Sequence, residues 1–371
     1  MALLLGCAIP GPKTLDFDQS RPLQGSGETS AAVSLGDLDG DGDLDVILST
    51  GRHWASPLRL YLNDGRGHFG SPRNVAERPY KSYGVPLADL DGDGDLDLAV
   101  GTDGEDEKPV FLNDGRGRFT LAGSYAPNEM SVRNLALADV DGNGTIDIVA
   151  SGRGTPSFVA WNDGRAGFER RTTFGEPGVQ NVTVAVGDLN GDGRPDLIQA
   201  NRGSQSAAWM NDGRGGFGDP RPLGPPTADT RVVELGDLDG DGDLDAAASH
   251  LGLGVFVYVN DGQGRWERTL SVGGPEDSSY SLALADVDRD GSMDIVAGTV
   301  ERPNAVYFGN RLQGDFRVAR FGKAVTEGVS YGLAVGDLNR DGWPDVAVAR
   351  SGEPSRIYLS SGLSPGQSGR R

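Results

Sequence analysis

The sequence predicts an all-β chain, a seven-bladed β-propeller of four-stranded blades whose last blade is closed by an N-terminal strand. Three observations lead there. A nine-residue aspartate loop, met first as Asp37-Leu38-Asp39-Gly40-Asp41-Gly42-Asp43-Leu44-Asp45, occurs seven times, starting at Asp37, Asp89, Asp139, Asp188, Asp237, Asp286 and Asp337. Successive origins stand 52, 50, 49, 49, 49 and 51 residues apart, the period of a propeller blade. Between the loops run short Ala, Val, Leu and Ile segments separated by turn residues, with no helical periodicity.

The loop alternates oxygen donors in the way a chain wraps a hard cation. Positions 1 and 9 are Asp in every copy, position 3 is Asp or Asn, and position 5 is Asp except for Asn143. The candidate ligand sets are therefore Asp37, Asp39, Asp41 and Asp45; Asp89, Asp91, Asp93 and Asp97; Asp139, Asp141, Asn143 and Asp147; and Asp188, Asn190, Asp192 and Asp196. The last three are Asp237, Asp239, Asp241 and Asp245; Asp286, Asp288, Asp290 and Asp294; and Asp337, Asn339, Asp341 and Asp345. Position 7 varies freely, from Asp43 to Arg194 and Trp343, as fits a residue offering only its carbonyl. Position 6 is glycine throughout, where a sharp turn needs positive φ. An EF-hand is disfavoured, because its loop ends in Glu at position 12 and sits between helices. A single Asp/Gly cluster reads equally as a solvated turn. Seven copies that keep the same positions and release the seventh favour a metal, so up to seven Ca²⁺ ions are expected.

The charge agrees with this division. The net charge is −20, and the loops hold 28 of the 54 acidic residues, leaving 26 against 34 basic ones. No concentrated basic stripe marks a nucleic-acid partner. A length of 371 residues suggests two or three domains, but a repeat along the whole chain needs only one closed domain, here residues 14–362, and a monomer is expected. The lone cysteine, Cys7, excludes an internal disulfide and a cysteine-based zinc site. Residues 1–13 read as a leader: Leu4-Leu5-Gly6-Cys7 resembles a lipobox, with a lipid anchor at Cys7, although no basic segment precedes it. An apolar start with an incidental cysteine is the alternative. No apolar run approaches 20 residues, so no transmembrane helix is expected. Residues 363–371 read as a disordered tail.

Each blade follows one plan. An aromatic precedes the origin by 20 residues in six copies (Phe17, Phe69, Phe119, Phe168, Phe217 and Trp266) and by 21 at Phe316. Asn-Asp-Gly hairpin signals stand at 63–65, 113–115, 162–164, 211–213 and 260–262. In the first blade the expected strands are 31–36, 44–49, 58–62 and 69–75, with the aspartate loop joining the first two. The seventh blade runs out after 356–359 without a fourth strand, whereas Phe17 has fourth-strand spacing and no blade before it. The segment 15–23 is therefore expected to complete the last blade and close the ring.

The run Leu-Gly-Asp-Leu-Asp-Gly-Asp-Gly followed by Leu-Asn-Asp-Gly-x-Gly-x-Phe resembles the FG-GAP/VCBS repeat family, whose relatives include the propeller head of integrin α-subunits. The resemblance covers residues 14–362 and implies a seven-bladed propeller with calcium in the loops between first and second strands. The Gly-Ala-Pro half of the motif is missing and all seven blades keep a loop, so the resemblance transfers fold and metal sites, not adhesion. An extracellular or cell-surface location, as a secreted protein or lipoprotein, is expected.

Ligands are expected on the rim opposite the loops. Six residues before the origins stand Ala31, Tyr83, Arg133, Val182, Arg231, Tyr280 and Tyr331. Of these, Tyr83, Arg133, Arg231, Tyr280 and Tyr331 suit a glycan or protein ligand carrying acid groups, because arginine forks bind carboxylates and tyrosine offers a flat amphipathic face. After the second strands come Arg52, Thr102, Arg153, Arg202, His250, Thr299 and Arg350. Exposed arginine is expected in a chain where Arg supplies most of the basic residues, and the tyrosines could simply pack the channel mouth. Catalysis has thin support: with three histidines and no nucleophile arrangement, the alternative is a polysaccharide lyase using His250 and Tyr280. A surface role for His250 is the plainer expectation.

Overall fold

The computed structural model describes residues 14, 15, 17, 19–23, 25, 29–104, 106–300, 302–322 and 329–364. Seven four-stranded antiparallel blades surround a central channel. In blade 3 the strands run, from channel to outer edge, Val132–Ala138, Asp147–Gly152, Ser157–Trp161 and Arg170–Phe174. The innermost strand of each blade touches that of the next, and that of blade 7 touches that of blade 1. Among the described residues the only helix is one 3₁₀ turn, Pro275–Asp277.

The sequence pattern explains the layering. Second strands are Val, Ile, Leu and Ala flanked by one invariant Asp, and every residue of Asp147–Gly152, Asp196–Asn201 and Asp294–Thr299 is buried. Outer strands alternate with exposed polar residues, as at Trp266–Gly273. The core lies between blades: Leu38, Ile47 and Leu60 of blade 1 pack on Tyr80, Leu98 and Phe111 of blade 2. Each such fully buried Leu or Ile contributes about 1.5–3 kcal/mol.

Ring closure follows the expectation. Gln19–Pro22 pairs with Arg356–Leu359 as the outer strand of blade 7, giving the order 19–22, 356–359, 345–351, 329–336 across that sheet. Phe17 packs against Phe321 with the rings tilted at 43°, 4.7 Å between centroids, inside a cluster with Val346 and Tyr358. Thr14–Leu15 also pairs with Leu363–Ser364, so strand pairing reaches two residues past the expected boundary at 362. Residues 1–13, with the leader and Cys7, and 365–371 lie outside the described residues.

Three strands differ from the four-strand plan. In blade 1 the outer strand narrows from 69–75 to Arg73–Asn74, because Phe69 pairs back with Asn63 to close the hairpin. In blade 2 the inner strand splits into Ser82–Gly84 and Leu87–Ala88, and its neighbour into Asp97–Ala99 and Gly101–Thr102. Pro86 stands at the break, where it has no N–H to give the ladder.

Candidate functional site

The aspartate loops share one geometry. In all seven, Oδ2 of the first Asp accepts the N–H of the position-6 glycine at 2.7–3.1 Å. Oδ1 of the fifth residue accepts the N–H of the seventh at 2.7–3.0 Å. The position-6 glycines have φ from 80° to 98°, as their sequence position requires. Position 4 also turns left-handed, and there blades 6 and 7 force Arg289 and Arg340 to φ of 59° and 57°.

Position 9 has a role the sequence did not separate from metal binding. Its carboxylate is buried and bridges two strands. Oδ2 accepts the N–H of position 2 at 2.8–3.0 Å. Oδ1 accepts the N–H of the residue ending the third strand, such as Asn162 on Asp147 at 2.9 Å. Burial pushes Asp45, Asp97, Asp147 and Asp245 up to about 6, and Asp294 and Asp345 up to about 7.

Five loops bring three carboxylates within 4.8 Å of one another: Asp37, Asp39 and Asp41; Asp89, Asp91 and Asp97; Asp139, Asp141 and Asp147; Asp237, Asp239 and Asp245; Asp286, Asp288 and Asp290. Burial, and after it the neighbouring carboxylate, raises Asp39, Asp91, Asp239 and Asp288 above the usual carboxylate range. Oδ1 of Asp39 and of Asp288 is buried without a hydrogen-bond partner. Crowded, all-oxygen groups with orphaned atoms fit a hard divalent cation, which would relieve the repulsion. The loops are not equivalent. Loops 1, 2 and 5 share one sequence, but Arg170 pairs with Asp141 at 3.3 Å, Arg317 with Asp288 at 2.5 Å, Arg194 with Asp192 and, in loop 1, Arg340 with Asp43 at 2.5 Å. In those loops a guanidinium already balances part of the charge.

The hairpin asparagines carry a second feature legible only in three dimensions. Nδ2 of Asn63, Asn113, Asn162, Asn211 and Asn260 donates to the position-2 carbonyl of the preceding blade's loop at 2.8–3.0 Å. Asn63 thereby ties blade 1 to Leu338 of blade 7. In blades 6 and 7 Gly309 and Ser360 occupy this place, and the latch is missing there.

At the other rim, Tyr83, Arg133, Arg231, Tyr280 and Tyr331 line one cavity of about 280 Å³, together with Ala31, Val182, Arg52 and Glu234. The Tyr280 and Tyr331 rings stack at 4.7 Å and 11°. The Arg52 guanidinium lies 3.4 Å from the Tyr331 centroid, and those of Arg231 and Arg133 lie 5.1 and 4.5 Å from Tyr280 and Tyr83. Asp103 pairs with Arg133 at 2.5 Å and Arg153 at 3.4 Å, and Asp229 with Arg231 at 2.7 Å and Arg202 at 3.5 Å. Glu234 has water-accessible atoms in the channel but is surrounded by protein, and desolvation raises its carboxyl to about 7.

Of the residues after the second strands, only Arg52 lines the cavity; Thr102, His250, Thr299 and Arg350 are buried. His250 is therefore not a surface residue. Its Nδ1 meets Thr230 Oγ1 at 3.0 Å and its Nε2 the Tyr258 hydroxyl at 2.6 Å, and desolvation lowers it to about 4. It lies outside the cavity lined by Tyr280, which removes the acid–base pairing on which a lyase reading depended. Sequence reasoning passed over Glu234, Asp103, Asp229 and Trp54; the last is 73 % exposed and stands two residues after Arg52.

Seven closed four-stranded blades with an acidic loop rim and an arginine-rich channel mouth define a propeller of the binding and scaffold class. The chain belongs to the FG-GAP repeat family: FG-GAP-like repeats match residues 37–100, 89–150, 139–199, 188–248, 252–297 and 290–348, and an FG-GAP repeat matches 330–369. Comparison with curated protein sequences finds no match. Among solved structures it is similar to BBS1N in complex with ARL6DN, in crystals soaked with mercury and with lead. Both superpose with a TM-score of 0.62 at 14 % and 13 % identity, over 96 % of this chain and 100 % of that one, a likeness of fold. No helix among the described residues is long and apolar enough to cross a membrane.

Proposed function

We propose that this protein is a calcium-stabilised, extracellular or cell-surface propeller that binds a glycan or protein ligand at the channel mouth, opposite the aspartate loops. The observation that carries the reading is the convergence of Tyr83, Arg133, Arg231, Tyr280 and Tyr331, from five different blades, on one cavity with Arg52. Calcium in the loops clamps first strand to second strand in each blade. Extracellular modules bind Ca²⁺ at roughly 10⁻⁴–10⁻³ M, a range that suits a structural ion where calcium is abundant. A protein ligand is supported by the similar propeller, which is seen with a protein partner.

The test is a glycan array and a peptide array, each probed with calcium-loaded protein and with a Tyr83→Ala, Tyr280→Ala, Tyr331→Ala variant. Signals seen with the parent protein should vanish with the variant. Undiminished signals would remove the channel mouth from the account.

A further inference from the structure

Five arginines surround the channel mouth, and four of them, Arg133, Arg153, Arg202 and Arg231, are ion-paired to Asp103 or Asp229. Arg52 lines the same cavity, with Glu234 elsewhere in its wall, and forms no ion pair among the described residues; its near neighbours are Tyr331, Tyr83 and Tyr280. The geometry points to Arg52 as the receptor for a carboxylate on an acidic segment of a polypeptide partner, with Trp54 as its flanking contact. This rests on the channel mouth being the ligand face, and it names the ligand class.

The tyrosine stack favours a carboxylate over a sugar ring. Tyr331 lies between Tyr280 on one side and the Arg52 guanidinium, 3.4 Å away, on the other. Tyr280 in turn has Arg231 at 5.1 Å, and Tyr83 has Arg133 at 4.5 Å. Tyr331 thus keeps no open platform for stacking a pyranose. Arg52 is hydrogen-bonded to Tyr331, and a guanidinium with its five N–H donors has others left to meet a carboxylate as a planar fork. Stacking also orders this side chain beforehand, so less entropy remains to be lost on binding.

Three further observations agree. The cavity, about 280 Å³, lies at or below the lower end of the range for whole small-molecule ligands, so it admits a side chain or chain end. Trp54, 73 % exposed on the loop that carries Arg52, supplies an aromatic anchor beside an arginine, the pairing enriched at protein–protein hot spots. The mouth sets five arginines against Asp103, Asp229 and Glu234, in a chain of net charge −20, so an acidic segment is drawn to this rim and repelled by the other.

The experiment is fluorescence anisotropy of calcium-loaded protein with a fluorescein-labelled hexaglutamate peptide, a hexaglutamine control, and polygalacturonate as competitor. Circular dichroism checks the fold of every variant. The proposal expects the glutamate peptide to bind and the glutamine peptide not to. Arg52→Gln should weaken binding about tenfold or more. Arg52→Lys should weaken it less, and Trp54→Ala should weaken it with its salt dependence unchanged. Equal affinity in Arg52→Gln and parent protein would overturn the proposal. So would polygalacturonate binding through Tyr83, Tyr280 and Tyr331 while the peptide fails to bind, an outcome that leaves the channel mouth as ligand face. Binding of neither would sink both readings.

Discussion

The two ends of the same seven inner strands repeat very different things. At one end every blade starts a loop with Asp, turns on a position-6 glycine and buries a position-9 Asp between strands. At the other, about 20 Å away at roughly 3.3 Å per residue, the equivalent position is Ala31, Tyr83, Arg133, Val182, Arg231, Tyr280 or Tyr331. What each blade must do alike is structural, so the loop rim holds the fold. What each blade does differently builds one asymmetric cavity, the face to which the proposed ligand is assigned. The acidic charge follows the first task and the unpaired arginine the second.

Perturbations of the loop rim should therefore damage stability, and those of the mouth should not. The largest effect is expected from removing residues 1–24, which takes away the outer strand Gln19–Pro22 of blade 7 and the Phe17 contact with Phe321. That protein should aggregate or lose its cooperative melt; an unchanged melting temperature would break the closure account. Next comes Asp245→Asn, which sets an amide N–H against one of two buried N–H donors, from Leu238 and Asn260. A loss of about 2–3 kcal/mol is expected in denaturant titrations with or without calcium. Asp239→Asn should destabilise only the calcium-loaded protein. If the two variants behave alike, positions 3 and 9 do not divide the work as described.

A smaller loss, about 1–3 kcal/mol, is expected for Asn162→Ala, which removes the latch to Leu90 of blade 2 and the bonds to Ile146 and Gly164, although the Leu90 carbonyl keeps the Ala166 N–H. The equivalent change Ser360→Ala in blade 7, where no latch exists, should cost less. At the mouth, Glu234→Gln should have the mildest effect and a pH signature. The carboxyl is raised to about 7 from 4.5, so its contribution to stability is fully present below about pH 4.5 and is lost as pH rises through 7. The parent protein should melt lower at pH 8 than at pH 5 relative to the glutamine variant, and parallel pH profiles would refute the assignment.

Much of this was legible in the chain. The period fixed the number of blades, and the unmatched Phe17 together with the missing last strand revealed how the ring closes. The break at Pro86 was visible as a residue but not as a consequence, since proline is tolerated at strand edges and only the ladder shows that both strands part there. The clamp role of position 9 was hidden because a metal loop and a buried strand clamp both call for Asp. Asn in Asn-Asp-Gly reads as a turn former, and its side-chain reach to the preceding blade depends on blades adjacent only after the ring closes. The spacing of the tyrosines from the loops puts them at the channel mouth, where they line one cavity. Their stacking on one another and on arginine depends on rotamers from blades 1, 5, 6 and 7, and for Tyr83 with Arg133 from blades 2 and 3, meeting at the channel mouth, and no local pattern encodes that.

The central claim, that the aspartate rim is a metal clamp holding the blades, is tested most directly by calcium titration of metal-stripped protein in a calorimeter, with the melting temperature recorded at each step. The account predicts saturable binding of at least three ions, the number of identical five-aspartate loops, with the melting temperature rising as they fill. No binding heat and an unchanged melting temperature would contradict it.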